Sequence, residues 1–200
     1  MMYPIPPRNE PGKDFYAHWE DFLTPNEITY LLSRPEWENA HPAMVGGQDN
    51  KQMLNTDVRR TNVSWIECKP DTQDIWERMT NVIAEVNRRY FRFNLTGCYE
   101  PMQIGVYSAR DQGHYSWHTD MNMQDHRTPR KLSMALLLND PSEFEGGELQ
   151  IKTVDDNAIT LELKQGRAWF FPSWVLHRVT PVTRGVRKSL VIWAGGPAFK

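Results

Sequence analysis

The second half of the chain consists of short apolar or alternating segments that are separated by turn residues. Segments of this kind, rich in β-branched and aromatic residues, are typical of β-strands. The pattern predicts eight strands, with the sequences YEPMQIGVYS, GHYSWHTD, KLSMALLLN, GELQIKT, AITLELK, RAWFFP, HRVTP and KSLVIWA. KLSMALLLN is apolar at successive positions, which indicates a central strand that is covered on both faces.

The first half of the chain contains two segments with helical periodicity. The first begins at TPNE, where Thr24 can cap the helix, Pro25 suits the first turn and Glu27 completes a capping box. This helix should end before Pro35. A second helix is predicted over residues 71–91, where apolar residues recur at helical spacing. The proline-rich start of the chain predicts an extended arm without a helix, and TNVSWIE predicts a short strand between the helices.

Together these elements predict one domain that is mainly β with flanking helices. The fold class that fits them is a double-stranded β-helix, or jelly roll, of about eight antiparallel strands. A length of 200 residues and an apolar fraction of 40% agree with one globular domain. We expect residues 1–97 to supply the arm, helices and supporting strands, and residues 98–197 to form the jelly-roll core.

The charge of the chain gives no sign of a nucleic-acid partner. The formal net charge is −2, so no global basic field is present. Basic residues on predicted loops are expected to be solvated, although they keep a nucleic-acid partner open as an alternative. These residues are Arg59, Arg60, Arg127, Arg130 and Lys131.

Cysteine content and apolar runs bear on the compartment. Cys68 and Cys98 are too far apart for a CxxC pair, so we expect two free thiols. The sequence shows neither an apolar signal segment at its start nor an apolar run long enough to cross a bilayer. We therefore expect no membrane partner and a cytoplasmic location.

The stretch HYSWHTDMN, residues 114–122, places polar residues at alternate positions of a predicted strand. Alternation would put His114, Ser116, His118 and Asp120 on one face. An isolated HxD pattern is more often part of a solvated sheet face than a pair of ligands. His114 would lie about 13 Å from His118 along the strand, so we expect it at the rim.

Two later residues favour a metal site over a solvated face. With His177, which follows an aromatic strand, His118 and Asp120 complete a set of two histidines and one carboxylate. This set binds non-haem Fe(II) and leaves coordination positions open, whereas structural zinc sites close with four ligands. Arg187 would need an anionic partner if buried, such as one end of a dicarboxylate, with Ser189 on the same strand face. A surface position for Arg187 is the alternative.

The HTD motif, the EGGEL turn at residues 145–149, the FP…LHRV segment and the RKSL strand resemble, in order and spacing, the 2-oxoglutarate and Fe(II)-dependent dioxygenases. Within them the sequence is most similar to the prolyl 4-hydroxylase type, including its small bacterial and viral members. The resemblance covers about residues 100–195. Upstream, TDVRRTNVSWI is similar to the segment that precedes the long helix in such hydroxylases.

The resemblance implies a set of site residues. His118, Asp120 and His177 would bind Fe(II), and Arg187 would pair with the distal carboxylate of 2-oxoglutarate. Leu137 stands where some hydroxylases have a tyrosine that helps to hold this carboxylate. Further residues expected at the cosubstrate are Ser189 and Tyr107, and those expected at the substrate are Tyr115, Trp174 and Arg59.

The implied activity is hydroxylation of an unactivated C–H bond, most of all in peptidyl proline, with succinate and CO2 as co-products. O2 would be the oxidant and ascorbate a reductant, and a viral source would place the enzyme in the host cytoplasm. The expected partner is a peptide or protein, held by the loops at residues 44–60 and 121–130. We expect Leu136, Leu138, Val179 and Val191 to form apolar walls.

Two other functions stay open. One is a dioxygenase that acts on a nucleobase or small molecule, and the other is a non-catalytic jelly roll that binds metal. A nucleic-acid dealkylase would need a continuous basic groove and an aromatic base pocket, whereas the basic residues here are scattered. A protein that only binds metal would not need Arg187 next to an iron ion with open coordination positions.

Overall fold

The computed structural model describes residues 15–46, 52–121, 128–152 and 156–198. Its helices are α1 (Pro25–Leu32) and α2 (Gln73–Val86), and α2 continues into a π-helical turn at Asn87–Phe91. Its strands are β1 (Ala17–Trp19), β2 (His41–Pro42), β3 (Val45–Gly46), β4 (Gln52–Met53), β5 (Arg59–Arg60), β6 (Asn62–Ile66), β7 (Met102–Ser108), β8 (His114–His118), β9 (Arg130–Leu137), β10 (Phe144–Gly146), β11 (Leu149–Lys152), β12 (Ala158–Leu161), β13 (Ala168–Pro172), β14 (His177–Val179) and β15 (Val182–Gly195).

Two antiparallel sheets form the body of the fold. The larger sheet has the strand order β1-β13-β9-β15-β7-β6-β2, with β10 beside β15, and the smaller sheet has the order β12-β11-β14-β8-β5. Strands β3 and β4 form a separate hairpin pair. The eight strands predicted from residue 98 onward are all present, so the predicted jelly roll of antiparallel strands with flanking helices is confirmed. Strand β10, inside the segment interpreted as the EGGEL turn, was not predicted.

Helix α1 begins and ends as the sequence predicts. The hydroxyl of Thr24 accepts a hydrogen bond from the backbone N–H of Glu27, and the Glu27 carboxylate accepts one from the backbone N–H of Thr24 at 2.6 Å. This reciprocal capping box satisfies two donors that would otherwise have no partner at the helix start. The helix ends at Leu32, before Pro35.

Helix α2 covers the outer face of the larger sheet. Its buried residues recur at helical spacing and include Ile75, Met79 and Ile83. The π-helical turn carries the helical region to Phe91, as predicted, and Arg92 ends it with a φ of 56°. The strand residues that pack against the helices are Met102, Ile104, Leu132, Met134, Leu136, Phe170, Leu190 and Ile192.

Strand residues that alternate with those of the helix-side core face the smaller sheet, and they form a second apolar cluster. This cluster includes Leu137, Leu149 and Phe171. Strand β9 is therefore covered on both faces, as its sequence indicates. The expectation that Leu136 and Leu138 form walls of the site is wrong, because both lie in the helix-side core.

The arm at the start of the chain is described from residue 15. Strand β1 pairs with β13, with His18 opposite Trp169. The earlier part of the predicted arm lies outside the described residues. Both cysteines are free, and burial raises the pKa of Cys98 to about 11. Of the helices described, neither is long and apolar enough to cross a membrane.

Candidate active site

A cavity of about 570 Å³ opens between the two sheets. Strands of both sheets contribute to its lining. Of the residues that the sequence singled out for the site, the cavity wall includes His118, Asp120, His177, Arg187, Ser189, Tyr107, Tyr115 and Arg59. Val179 and Val191, two of the four expected apolar wall residues, also line it.

His118, Asp120 and His177 meet at one point of this cavity. Their ligand atoms all lie within 4.8 Å of one another. The Asp120 carboxylate is 3.7 Å from His118 Nε2 and 3.4 Å from His177 Nε2. The two histidines are register partners on the adjacent strands β8 and β14, and the Asp120 N–H donates to Ser173 O at 2.9 Å. Antiparallel pairing thus joins residues far apart in the sequence.

Backbone hydrogen bonds fix the tautomer of both imidazoles. His118 Nδ1 lies 2.8 Å from Ser116 O, and His177 Nδ1 lies 2.9 Å from Val175 O. Because a carbonyl oxygen only accepts, each Nδ1 carries the proton and donates it. Each Nε2 is left with a free lone pair that faces Asp120, which is the arrangement a metal-ligating histidine needs.

Burial and mutual charges set the protonation of the group. Burial lowers the pKa of His118 well below its ordinary value, and the neighbouring His177 lowers it further. Burial alone would raise the pKa of Asp120, but the nearby imidazoles outweigh this effect, so its pKa lies below the ordinary value. A neutral imidazole and an ionised carboxylate are the forms that bind a divalent metal.

A bulge in β8 brings Tyr115 to the same side as His118. Tyr115 is opposite Val179 and His118 is opposite His177, so three steps along β8 correspond to two along β14. The two rings stack with centroids 3.4 Å apart. Simple alternation, which placed His114 and His118 on one face, is therefore broken. The His114 ring instead contacts the backbone oxygens of Asp57 and Gln112.

Arg187 is buried in the cavity wall. Its side chain is only 3% exposed, and its Nε has no hydrogen-bond partner among the described residues. Burial lowers the pKa of the guanidinium. The guanidinium carbon lies 5.2 Å from the Tyr107 ring centroid, and Ser189 follows two residues later on the same strand face. In the described part of the chain, no carboxylate lies within 4 Å of Arg187, so the surface alternative is excluded and an anionic partner is required.

The strand neighbours of Arg187 shape the space around it. A Cβ atom at Gly105 would lie 3.2 Å from Ser189 Oγ and 3.3 Å from the Tyr107 ring. Leu137 is the register partner of Ser189 on β9 and is buried in the apolar cluster between the sheets. Ser189 and Tyr107 thus contribute hydroxyl groups to the same cavity wall as Arg187.

The basic residues that we expected on the solvated surface do not all lie there. Arg130 lies in the cavity wall, forms an ion pair with Glu100 and stacks over Trp193 at 3.7 Å. Lys131 is 3% exposed and donates to Asn94 O. The solvated interpretation is therefore wrong for both, because partners at least 30 positions away in sequence bind their side chains: the Glu100 carboxylate for Arg130 and the Asn94 carbonyl for Lys131. Arg60 remains partly exposed, and Arg127 lies outside the described residues.

The structure describes Trp174 and part of each loop that was expected to hold the substrate. Trp174 is not in the cavity wall; it is 40% exposed and its ring packs on Phe93 at 5.2 Å. In the loop at residues 44–60, Met44, Val45 and Gly46 line the cavity mouth. Residues 47–51 of that loop, and 122–127 of the loop at 121–130, lie outside the described residues.

The donor set fits Fe(II) and 2-oxoglutarate. Two imidazoles and one carboxylate leave a metal ion with open positions, which matches non-haem iron better than structural zinc. The buried, unpaired Arg187 in the same cavity fits one end of a dicarboxylate. Glu100 and Gln103 also line the site, and no sequence pattern had indicated them.

Comparison with known proteins relates the site to a family. Residues 102–195 match the family described as 2OG-Fe(II) oxygenase superfamily. Over these residues the chain is similar to the 2OG-Fe(II) oxygenases, and the match supports Fe(II) and 2-oxoglutarate as cofactors. The matched residues include the whole candidate metal set and Arg187.

Two relatives of this oxygenase are PKHD-type hydroxylases. The protein from Teredinibacter turnerae is 35% identical over 133 residues, which are 62% of this chain and 57% of the relative. The protein from Psychrobacter is 29% identical over 152 residues, which are 73% of this chain and 58% of the relative. The chain thus spans less than two thirds of the length of these relatives.

Solved structures show the same fold. A Pseudomonas putida prolyl-4-hydroxylase superposes with a TM-score of 0.71 at 21% identity, covering 93% of this chain and 95% of the other. A Trichoplax adhaerens prolyl hydroxylase, in complex with a hypoxia inducible factor peptide fragment, superposes with a TM-score of 0.72 at 16% identity, covering 92% and 84%. At these identities the likeness concerns the jelly roll.

Proposed function

We propose that this protein is an Fe(II)- and 2-oxoglutarate-dependent dioxygenase that hydroxylates an unactivated C–H bond, with peptidyl proline as its substrate. The observation that carries the proposal is the presence, in one cavity, of a facial metal-binding set and a buried guanidinium without an anionic partner. The three metal-binding residues alone would suit several functions. The buried guanidinium of Arg187 further indicates a ligand with a carboxylate group.

The residues of the chain bind and orient the reactants. When bound, Fe(II), 2-oxoglutarate and O2 supply the oxidising chemistry, which releases succinate and CO2. His118, Asp120 and His177 would hold the metal, because His118 and His177 lie on neighbouring strands and Asp120 follows the end of β8. Arg187 neutralises the distal carboxylate of 2-oxoglutarate, and Ser189 and Tyr107 supply hydroxyl groups beside it.

Apolar side chains exclude water from the reaction. Val179, Val191 and Phe171 line the cavity next to the polar groups. Their burial lowers the local dielectric and limits side reactions with water. No residue of the chain is required as a general base, and ascorbate is proposed only as an external reductant that keeps the iron in its ferrous state.

Peptidyl proline is favoured by the kind of protein this chain is similar to. The relatives bear the name PKHD-type hydroxylase, and the superposed structures are prolyl hydroxylases, one with a peptide bound. An extended, proline-rich chain loses little entropy on binding an open groove. A nucleobase or small-molecule substrate is the second candidate, since Arg59 places a cation in the cavity wall.

The experiment incubates purified protein with Fe(II), 2-oxoglutarate, ascorbate and a panel of proline-containing peptides. We expect the product to gain one oxygen atom by mass spectrometry, with an equimolar release of succinate. The Arg187→Leu variant is the matched control, because it removes cosubstrate binding and leaves the metal set intact. Stimulation of succinate release by a methylated oligonucleotide or a free amino acid, and by none of the peptides, would replace peptidyl proline with the second candidate.

A further inference from the structure

Arg59 lies at the mouth of the cavity and bridges the two sheets. It belongs to β5, at the edge of the smaller sheet, where it pairs with Tyr115 of β8. Its guanidinium carbon lies 4.4 Å from the Tyr115 ring centroid, and its Nη2 donates to Gln103 Oε1 of the larger sheet at 2.9 Å. Since Tyr115 stacks directly on His118, Arg59 is separated from the metal set by one aromatic ring.

The hydrogen-bonding capacity of Arg59 is largely unused. Its Nε is buried and has no partner, and Gln103 is the one acceptor that its side chain reaches among residues 15–46, 52–121, 128–152 and 156–198. Within the same ranges, no carboxylate lies within 4 Å of it. A guanidinium has five N–H donors in a rigid fork that matches a carboxylate, so this side chain is pre-organised for an anion.

Among the charged residues described in the cavity wall, Arg59 is the one without a counter-charge. Asp120 offsets one of the two positive charges of Fe(II), and Arg187 adds another positive charge. The two carboxylates of 2-oxoglutarate neutralise what remains at the metal and at Arg187. Glu100 and Arg130 form an ion pair with each other. Of the charged residues in the described cavity wall, only Arg59 then lacks a counter-charge.

We infer that the substrate carries a carboxylate next to the carbon that is hydroxylated, and that Arg59 binds this carboxylate. The inference rests on the proposed function and narrows its substrate class, from any proline-containing chain to one with a negative charge beside the target. A carboxylate fits better than a nucleic-acid backbone, because one isolated cation at the mouth does not form a track for successive phosphates.

The neighbouring Arg60 provides a matched control. Successive residues of a strand face opposite sides, and Arg60 points away from the cavity, donating to Thr56 O at 2.9 Å and lying 3.8 Å from the Asp57 carboxylate. Arg59→Gln and Arg60→Gln therefore remove the same charge one residue apart. Arg59→Lys retains the charge but loses the fork, and thermal melting of all three variants tests whether they fold.

The first measurement compares peptides that differ only in one residue beside the proline, either Glu or Gln. For the wild type we expect kcat/KM for the Glu peptide to exceed that for the Gln peptide by roughly tenfold to a hundredfold. Arg59→Gln should abolish this preference, Arg59→Lys should retain part of it, and Arg60→Gln should retain all of it. An undiminished preference in Arg59→Gln overturns the inference, and equal turnover of both peptides by the wild type excludes an acidic side chain as the source of the carboxylate.

A binding measurement separates this inference from the proposed function. N-acetylproline and its amide are titrated into the complex of protein, Mn(II) and 2-oxoglutarate, with tryptophan fluorescence as the readout. We expect the acid to bind at least tenfold more tightly than the amide, and Arg59→Gln to remove the difference. If the preference is found but no peptide is hydroxylated, the proposed function fails and the anion site stands. Equal binding of acid and amide excludes an α-carboxylate as the source. If Arg59→Gln weakens the binding of 2-oxoglutarate itself tenfold, Arg59 does not bind a substrate carboxylate.

The same two measurements distinguish the source of the carboxylate. A preference for the Glu peptide assigns it to an acidic side chain within a polypeptide. A preference for N-acetylproline, without one for the Glu peptide, assigns it to the α-carboxylate of a chain end or of a free amino acid. Either result supports the carboxylate site, and the absence of both overturns it.

Discussion

Gly147 lies directly against the aliphatic part of Arg187. A Cβ atom at Gly147 would come within 2.9 Å of Arg187 Cδ and equally close to Val182, and the residue has a φ of 62°. A Cβ atom at the preceding Gly146 would lie 2.2 Å from Pro181 O. The two glycines of the EGGEL turn therefore serve different needs: Gly146 lets two backbones approach, and Gly147 leaves room for the arginine that faces the cavity.

Gly147→Ala should displace Arg187 and weaken 2-oxoglutarate without affecting the metal. We expect the KM for 2-oxoglutarate to rise about tenfold or more, because small displacements of a positioning group are costly. Gly166→Ala is the control, since Gly166 also has a positive φ, of 77°, but its Cβ would meet the Ile28 side chain at 3.2 Å and Leu23 O at 3.6 Å, both on the helix side. Both variants should lose stability, and an equal KM in the two would show that Gly147 has no role at Arg187.

Arg187→Leu should raise the 2-oxoglutarate requirement by roughly a hundredfold or more, since the partner carboxylate is then buried without a counter-charge. Arg187→Lys should fall between Leu and wild type. Mn(II) affinity, measured by calorimetry, should stay near the wild-type value for both. An unchanged affinity for 2-oxoglutarate in Arg187→Leu would show that another cationic residue binds the cosubstrate.

The same variant should have the opposite effect on the protein without cosubstrate. Burial lowers the pKa of Arg187, which means that the folded state disfavours its charged form. Removing this charge should therefore leave the melting temperature of the ligand-free protein unchanged or raise it. Added 2-oxoglutarate should stabilise the wild type and not Arg187→Leu, as differential scanning fluorimetry with Mn(II) present can show. A lower melting temperature for ligand-free Arg187→Leu would contradict a desolvation cost at this position.

The sequence predicted which segments form strands and helices better than it predicted the side to which their residues point. The eight strands and both helices follow from local patterns, such as the capping box of Thr24 and Glu27. Strand β9 is apolar on both faces, so its pattern cannot tell which residues face the helices, and Leu136 was assigned to the wrong side. The bulge in β8 that brings Tyr115 beside His118 has no glycine or proline to indicate it, and only pairing with β14 produces it.

The candidate site was also predicted only in part. His118, Asp120, His177 and Arg187 could be proposed because few residue types bind iron or pair with a buried acid. The ion pair of Arg130 with Glu100 joins residues 30 positions apart, and no local spacing signals it. Contacts between strands that are far apart in sequence are decided by sheet topology, and the sequence gives that only through the family resemblance.

His177→Ala should abolish metal binding. With three protein ligands, the loss of one should reduce Mn(II) affinity by roughly a hundredfold or more, since even partners that only orient a ligand contribute tenfold to a hundredfold. His114→Ala is the matched control, because the His114 ring contacts backbone oxygens outside the cavity. Metal analysis after dialysis should give about one equivalent for wild type and for His114→Ala. Full occupancy in His177→Ala would remove His177 from the site.

Trp174→Ala should weaken peptide turnover more than the slow decarboxylation of 2-oxoglutarate without substrate. Trp174 is 40% exposed and follows Ser173, whose carbonyl accepts from the Asp120 N–H, so its backbone adjoins the metal-binding turn while its side chain is outside the cavity wall. An aromatic side chain in this position can pack against an extended peptide, and its truncation should lower kcat/KM roughly fivefold or more. Trp117→Ala is the control, because the Trp117 ring packs against Arg178 and Lys152 and is not part of the cavity wall. If Trp174→Ala lowers peptide turnover and uncoupled decarboxylation in equal proportion, Trp174 supports the metal-binding turn and does not contact the peptide.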